Sequence, residues 1–294
     1  MPHLPLRAAG WTTVLLLIAI ALGLVLHFRR HIFEPKPIAL PAAAMASGGR
    51  AEPQLMLWAW ETPEDLTAID PATAGVAYLA LEVLIGSNTA AAGQPAKIEI
   101  RPRLQPLRTT PGTFLMAVVR IEVSPDFAAA QASPQFIRDT AQAIVAAARP
   151  PSVRALQVDF DATASQRGFY VKLLRQIRTD LRPELPLSMT ALVSWCSKPS
   201  WLEQLPAHTV DEAVPMFFRM GGPAGARATA PKTWSVTEPL CAGSVGLATD
   251  ETWPDLMTAS AATSAQQRVY LFRPGPWSAI DVAKLNAHGY RGIR

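Results

Sequence analysis

The chemistry in this sequence concentrates in a short run, Gln157-Val158-Asp159-Phe160-Asp161, where polar and apolar residues alternate. Successive side chains of an extended strand point to opposite faces, so Gln157, Asp159 and Asp161 share one face and Leu156, Val158 and Phe160 the other. Two carboxyls held close together raise each other's proton affinity, and one can stay protonated near neutrality. A protonated carboxyl beside a second carboxylate can serve as general acid with a base, nucleophile or charge stabiliser, the chemistry of glycosidic-bond cleavage. The competing reading is structural: the aspartates pair with Arg120 or Arg219, or cap the helix that begins near Ser165.

Similar residue types stand at the ends of other apolar runs: Trp58-Ala59-Trp60-Glu61, Arg120-Ile121-Glu122, Trp195, Arg219, Asp250-Glu251 and Arg273-Pro274-Gly275-Pro276-Trp277. Asp159, Asp161, Glu61 and Glu122 are the candidate catalytic residues. Trp58, Trp60, Trp195, Arg120, Arg219, Glu251, Arg273 and Trp277 are the candidate substrate contacts. Flat indole faces beside carboxylates and guanidiniums suit sugar rings. Alternatively, two or more tryptophans fill an interior and the arginines neutralise an acidic rim. Other chemistries have little material. The five histidines are His3, His27, His31, His208 and His288, and none ends an apolar run. A histidine-based metal site or triad is therefore not expected. There is no Gly-x-Ser-x-Gly elbow and no Walker-type loop, and no cofactor is expected.

The elements that must gather these residues are eight short runs rich in β-branched and aromatic residues. They are Leu55–Trp60, Gly75–Leu84, Phe114–Val123, Leu156–Asp161, Leu187–Trp195, Ala213–Met220, Ser244–Thr249 and Arg268–Phe272. Helical patterns lie between several of them, at Gln135–Arg149, Ser165–Leu181 and Trp277–His288, with apolar residues three and four apart. Alternating strands and helices argue for a parallel sheet with crossover helices, and a count of eight for a closed (β/α)8 TIM-type barrel of α/β class. An open doubly wound sheet would want a glycine-rich first turn, and Trp58–Thr62 has no glycine. The second crossover is expected to be irregular, because Lys97–Leu107 (KIEIRPRLQPL) alternates like an edge strand with prolines at its margins. In such barrels the active site lies at the C-terminal ends of the strands, which is where the candidates stand.

The chain has 294 residues, 49% hydrophobic and 17% charged, enough to bury one large core. Its formal charge of +4 shows no basic stripe interleaved with aromatics, so no nucleic-acid partner is expected. Trp11–Phe28 is an apolar stretch without formal charge, long enough to span a bilayer. Residues 1–30 are read as an N-terminal anchor, with a cleaved signal as the alternative, residues 31–53 as a Pro/Ala-rich linker, and residues 54–294 as the barrel domain. Arg29, Arg30 and Lys36 after the apolar stretch, by the positive-inside rule, would leave the domain in the cytoplasm. Cys196 and Cys241 are the only cysteines. Placed at the end of one strand and the start of another, they would stand at opposite ends of the barrel and remain unpaired. A disulfide is the alternative if the domain is exported.

The segments LWAWETPEDL, QVDFDATASQRGFY, LSMTALVSWC, VDEAVPMFFRMGG and CAGSVGLATDE resemble a bacterial family known only as a domain of unknown function, number 3142. The resemblance covers residues 54–275 and implies the same barrel. More distantly, Asp159-Phe160-Asp161 is similar to the Asp-x-Asp-x-Glu strand of chitinase-type glycoside hydrolases. Thr163 stands where those enzymes carry the catalytic Glu, which passes the acid role to Asp161 or to another strand. The resemblance favours an exported, periplasmic or extracytoplasmic domain. The expected protein is thus a membrane-anchored, carbohydrate-active barrel, a glycoside-hydrolase-like enzyme acting on a polysaccharide or glycoconjugate. The alternative is a non-catalytic sugar-binding or envelope-assembly protein on the same barrel.

Overall fold

Leu55–Ala59 forms β1, five residues buried on both faces, as an apolar run without alternation must be when helices cover one side and a packed interior the other. The computed structural model describes residues 53–86, 96–218, 236–251 and 268–288. Seven further strands complete the ring: β3 (Ala74–Ile85), β6 (Leu115–Val123), β7 (Val153–Asp159), β8 (Leu187–Leu192), β9 (Glu212–Met216), β10 (Ser244–Ala248) and β11 (Arg268–Phe272). Each pairs in parallel with the next, and β1 pairs with both β3 and β11, which closes the barrel. The barrel expected from the eight runs is therefore present.

The irregular second crossover is also present. β3 is twelve residues long, outlasts the barrel wall and pairs antiparallel with β4 (Ile98–Pro102). Just beyond it, β5 (Leu107–Thr109) makes a small parallel pair with β2 (Glu64–Leu66). Helix α1 (Pro134–Val145) starts where the Ser133 hydroxyl accepts the amide of Phe136 and Pro134 needs no partner for its missing N–H. It buries Ile137, Ala141 and Ile144, and α2 (Arg167–Asp180) buries Phe169, Leu173, Leu174 and Ile177, all against the outer faces of β6 to β8. Helix α3 (Ala279–His288) does the same for β1, β10 and β11 through Val282 and Leu285.

The barrel interior is a packed core. Met56, Trp58, Ala77, Met116, Val118, Ala155, Val214 and Tyr270 fill it. The Trp58 indole N–H donates to Gln157 Oε1 at 2.9 Å, and the Gln157 amide donates to Ser188 at 3.0 Å. At the N-terminal end, Glu212 accepts from Tyr270 at 2.7 Å, from Ser188 at 3.0 Å and from Ser244, and it pairs with Arg268 at 3.3 Å. So many partners hold a half-buried carboxylate in place, far from the rim where such barrels do chemistry. Gly246 sits against this plug: a Cβ there would lie 2.9 Å from the Trp58 ring and 3.3 Å from the Pro215 carbonyl. Gly246→Ala is expected to lose about 1–3 kcal/mol through overpacking, read as a lowered denaturant midpoint.

The cysteine expectation is corrected. Cys196 and Cys241 form a disulfide with Cα atoms 5.8 Å apart. The run Leu187–Trp195 stops being a strand at Leu192, and Val193–Cys196 turns outward as one 3-10 turn. Cys241 lies in another, Pro239–Cys241, ahead of β10. Both cysteines belong to the crossovers that run over the outside, not to strand ends. The amides of Thr237 and Glu238 both donate to the Cys196 carbonyl and lock the two crossovers side by side.

The proposed anchor at residues 11–28 and nearly all of the linker lie outside the described residues. Among the described residues no helix is long and apolar enough to cross a membrane.

Candidate functional site

Parallel pairing sets side chains of neighbouring strands at one level. Glu82 of β3, Arg120 of β6 and Asp159 of β7 are direct register partners, which places an acid–base–acid row across the mouth. Arg120 is its hub. Its guanidinium bonds Asp159 at 3.3 Å and Glu122 at 3.0 Å, and lies 5.9 Å from the centre of the Trp60 ring.

Asp159 is 6% exposed and accepts the Thr190 hydroxyl at 2.7 Å. Burial pushes its carboxyl above the usual aspartate range, Thr190 and Arg120 pull it back, and neighbouring Asp161 pushes it up again. Asp161 stands at the surface, and the protein around it also raises its proton affinity, opposed by Arg120. The same holds for Glu82: partial burial raises it first, nearby Glu61 and Glu122 add to the rise, and Arg120 opposes it. The mouth therefore holds several carboxyls with raised proton affinity around one fixed cation.

The strand carrying the aspartates ends earlier than the alternation implies. β7 stops at Asp159, and the Ala162 amide turns back to the Phe160 carbonyl. Asp161 is thus held by a loop, not by the strand pleat. Thr163 belongs to the same loop: its amide donates to Gln166 Oε1 at 2.8 Å and its hydroxyl bonds Ser165, just before α2.

Trp60 and Glu61 ride on the β1–β2 loop, with Trp60 half-buried and Glu61 exposed. Arg103 clamps that loop, donating to the carbonyls of Ala59, Trp60 and Thr62. The Trp60 ring meets Phe272 edge-on at 6.5 Å, Phe272 stacks on Phe218 at 5.4 Å, and Phe218 meets Trp58. This makes an aromatic strip from the core up to the rim.

Several candidate contacts are placed elsewhere. Trp58 is 3% exposed inside the barrel, with its N–H used on Gln157, and serves as a core plug. Trp195 packs edge-on against Trp201 at 5.0 Å on the outer face, because its turn leads away from the mouth. Trp277 is buried outside the wall with α3; its amide donates to buried Glu64 and its indole N–H to the Trp58 carbonyl. Arg273 pairs with Asp281 at 3.0 Å and bonds the Pro276 carbonyl, which anchors the start of α3. Glu251 is exposed in the turn after β10, Glu122 is exposed beside Arg120, and Arg219 lies outside the described residues.

Glu82, Thr190 and Arg103 were not singled out from the sequence. Glu82 sits in the apolar run GVAYLALEVL, where strict alternation from Ala77 and Leu79 would turn it outward. An irregularity between Leu79 and Leu81 shifts the register and brings it to the mouth. Among the described residues no group of three or more His, Cys, Asp and Glu side chains could hold a metal ion.

The fold and this row define a parallel eight-stranded barrel with a carboxylate-lined C-terminal rim. The family model of a domain of unknown function (DUF3142) matches residues 112–235, from ahead of β6 to beyond β9, so the resemblance to that family holds there. No curated protein matches the chain. Among solved structures, the chain is similar to the chitinase domain of the spore coat protein CotE from Clostridium difficile, at 13% identity and a TM-score of 0.42, covering 80% of this chain and 69% of that one. It is also similar to EndoBT-3987 from Bacteroides thetaiotaomicron with a Man5GlcNAc product, at 12% identity and a TM-score of 0.40, covering 78% and 58%. A third is a putative vitamin-B12 independent methionine synthase from Listeria monocytogenes, at 13% identity and a TM-score of 0.32, covering 62% and 64%.

Proposed function

We propose that this protein is a carbohydrate-active barrel that cleaves a glycosidic bond in a polysaccharide or glycoconjugate. The observation that carries the reading is the arrangement around Arg120: buried Asp159 at the end of β7, Asp161 just beyond it with raised proton affinity, and half-buried Trp60 in contact with the same guanidinium. Asp161 is the acid, carrying a proton to the leaving oxygen as the glycosidic C–O bond breaks; a water molecule then adds to the sugar carbon and returns a proton to Asp161. Asp159, held by Arg120 and Thr190, supplies the fixed negative charge that favours a developing positive sugar ring. Trp60 offers the flat face against which a sugar stacks, and Glu61, Glu82 and Glu122 extend the acceptor surface.

The same details support a second reading, sugar binding without cleavage. Both Asp159 oxygens are engaged by neighbours, and Thr163 stands where chitinase-type glycoside hydrolases carry their catalytic Glu. The test that separates them is the appearance of new reducing ends when the purified chain is incubated with a panel of bacterial and host polysaccharides. Release from any one supports the hydrolase. Retention of a glycan on the protein, with no release, supports the binding module.

We place the domain outside the cytoplasm, tethered by residues 11–28. The Cys196–Cys241 bond supports this, since disulfides persist in oxidising compartments. A reporter fused after Gly49 that is active only in the cytoplasm would overturn the placement.

A further inference from the structure

A second surface stands apart from the mouth in its lining. On the outer wall, α1, α2 and the turn before β9 enclose an open groove of about 570 Å³ lined by Arg138, Lys172, Arg175, Arg178 and His208, with no carboxylate in the lining. Arg178 is engaged within the fold, donating to the carbonyls of Leu185 and Arg182 and pairing with Asp211 at 3.4 Å. Arg138 donates to the neutral Gln135 amide. Lys172 and Arg175 are exposed and have no ion-pair partner among the described residues. Three residues apart on α2, they project from one face, about 4.5 Å apart along its axis. His208 reaches the groove from a backbone in the left-handed region, φ 62°, which a residue with a Cβ seldom adopts.

We infer that this groove binds a linear acidic glycan, a polymer with carboxylate-bearing sugars spaced along it. The uncompensated cations select negative charge. Thr209 in the lining offers a neutral hydrogen-bonding group of the kind sugar hydroxyls need, Gln176 keeps its carbonyl oxygen as an acceptor while its amide donates to Asp180, and Ile137 with Pro134 supplies apolar surface. The choice of a glycan over another polyanion rests on the carbohydrate reading of the mouth. The groove then acts as an auxiliary site that holds the polymer on the wall of the barrel.

The test is titration of the full chain, in non-ionic detergent, with polygalacturonate, and with dextran and polyglutamate as neutral and non-sugar controls. The expected result is salt-sensitive binding of polygalacturonate in preference to both controls. The Lys172→Glu/Arg175→Glu double variant, folded as judged by an unchanged melting temperature, should bind at least about tenfold more weakly, because two attractions become two repulsions. No polygalacturonate binding, equal binding by the double variant, or equal binding of polyglutamate each overturns the proposal. Asp161→Asn keeps the two claims separate: it removes the mouth's chemistry and should leave groove binding unchanged, whereas the double variant should leave cleavage of a short neutral substrate intact.

Discussion

Asp161→Asn is expected to lower turnover of a cleaved glycan by about 10²–10⁴-fold, the usual worth of general acid–base help. The amide keeps the volume of the side chain but cannot deliver a proton. Stability should move little, within about 0.5 kcal/mol, because Asp161 is exposed on a loop beyond β7 and its carboxylate has no ion-pair partner among the described residues. The pH profile carries a further sign. An acid with raised proton affinity works while protonated, so wild-type activity should decline as pH rises through that raised pKa. The variant should lose this limb together with the rate. Asp159→Asn behaves differently. It keeps one acceptor oxygen but replaces the other with an NH2 group and removes the charge facing Arg120, so part of its effect must appear in the melting temperature. Undiminished turnover by a folded Asp161→Asn protein would end the assignment of the acid to this residue.

Replacing both cysteines, Cys196→Ser with Cys241→Ser, is expected to cost about 4 kcal/mol. The chain-entropy relation gives this value for a closed loop of the observed size, the two cysteines being 45 positions apart in the sequence. The loop contains β9 and the crossovers on both sides of it, so the unfolded chain freed by the substitution is a substantial part of the domain. Chemical denaturation of the oxidised wild type and the double-serine variant measures the difference. A loss below about 1 kcal/mol would show that the backbone bonds from Thr237 and Glu238 to Cys196 suffice to hold the two crossovers together. The expected size also bears on location: a domain leaning on this bond would be weakened in a reducing cytoplasm.

How much of this was legible in the residues depends on the kind of constraint. Burial on both faces of a barrel strand demands continuous apolar runs, and every such run that lies within the described residues forms a strand; Arg268–Phe272 matches to the residue. The edge character of Lys97–Leu107 was equally visible, because prolines and alternating charge are what an exposed edge tolerates. At the site, Arg120 beside Asp159 followed from two strand ends brought together by neighbouring pairing.

The sequence by itself determined the barrel, the rim at which the candidate residues gather, and the run that holds the two aspartates, because periodicity and strand ends are local properties. Only the tertiary structure decided which tryptophans reach the mouth. Of Trp58, Trp60, Trp195 and Trp277, only Trp60 does so, since one lies below the rim and two lie outside the wall. It also decided that Glu82 joins the row, through a register shift with no signature in the residues, and that Cys196 meets Cys241, through two crossovers whose adjacency no local pattern encodes. Strand parity beyond an irregularity, and the path of a chain after its strand has ended, depend on which neighbours are available to pack against. Those neighbours come from distant parts of the chain, and the closed ring of strands brings them together.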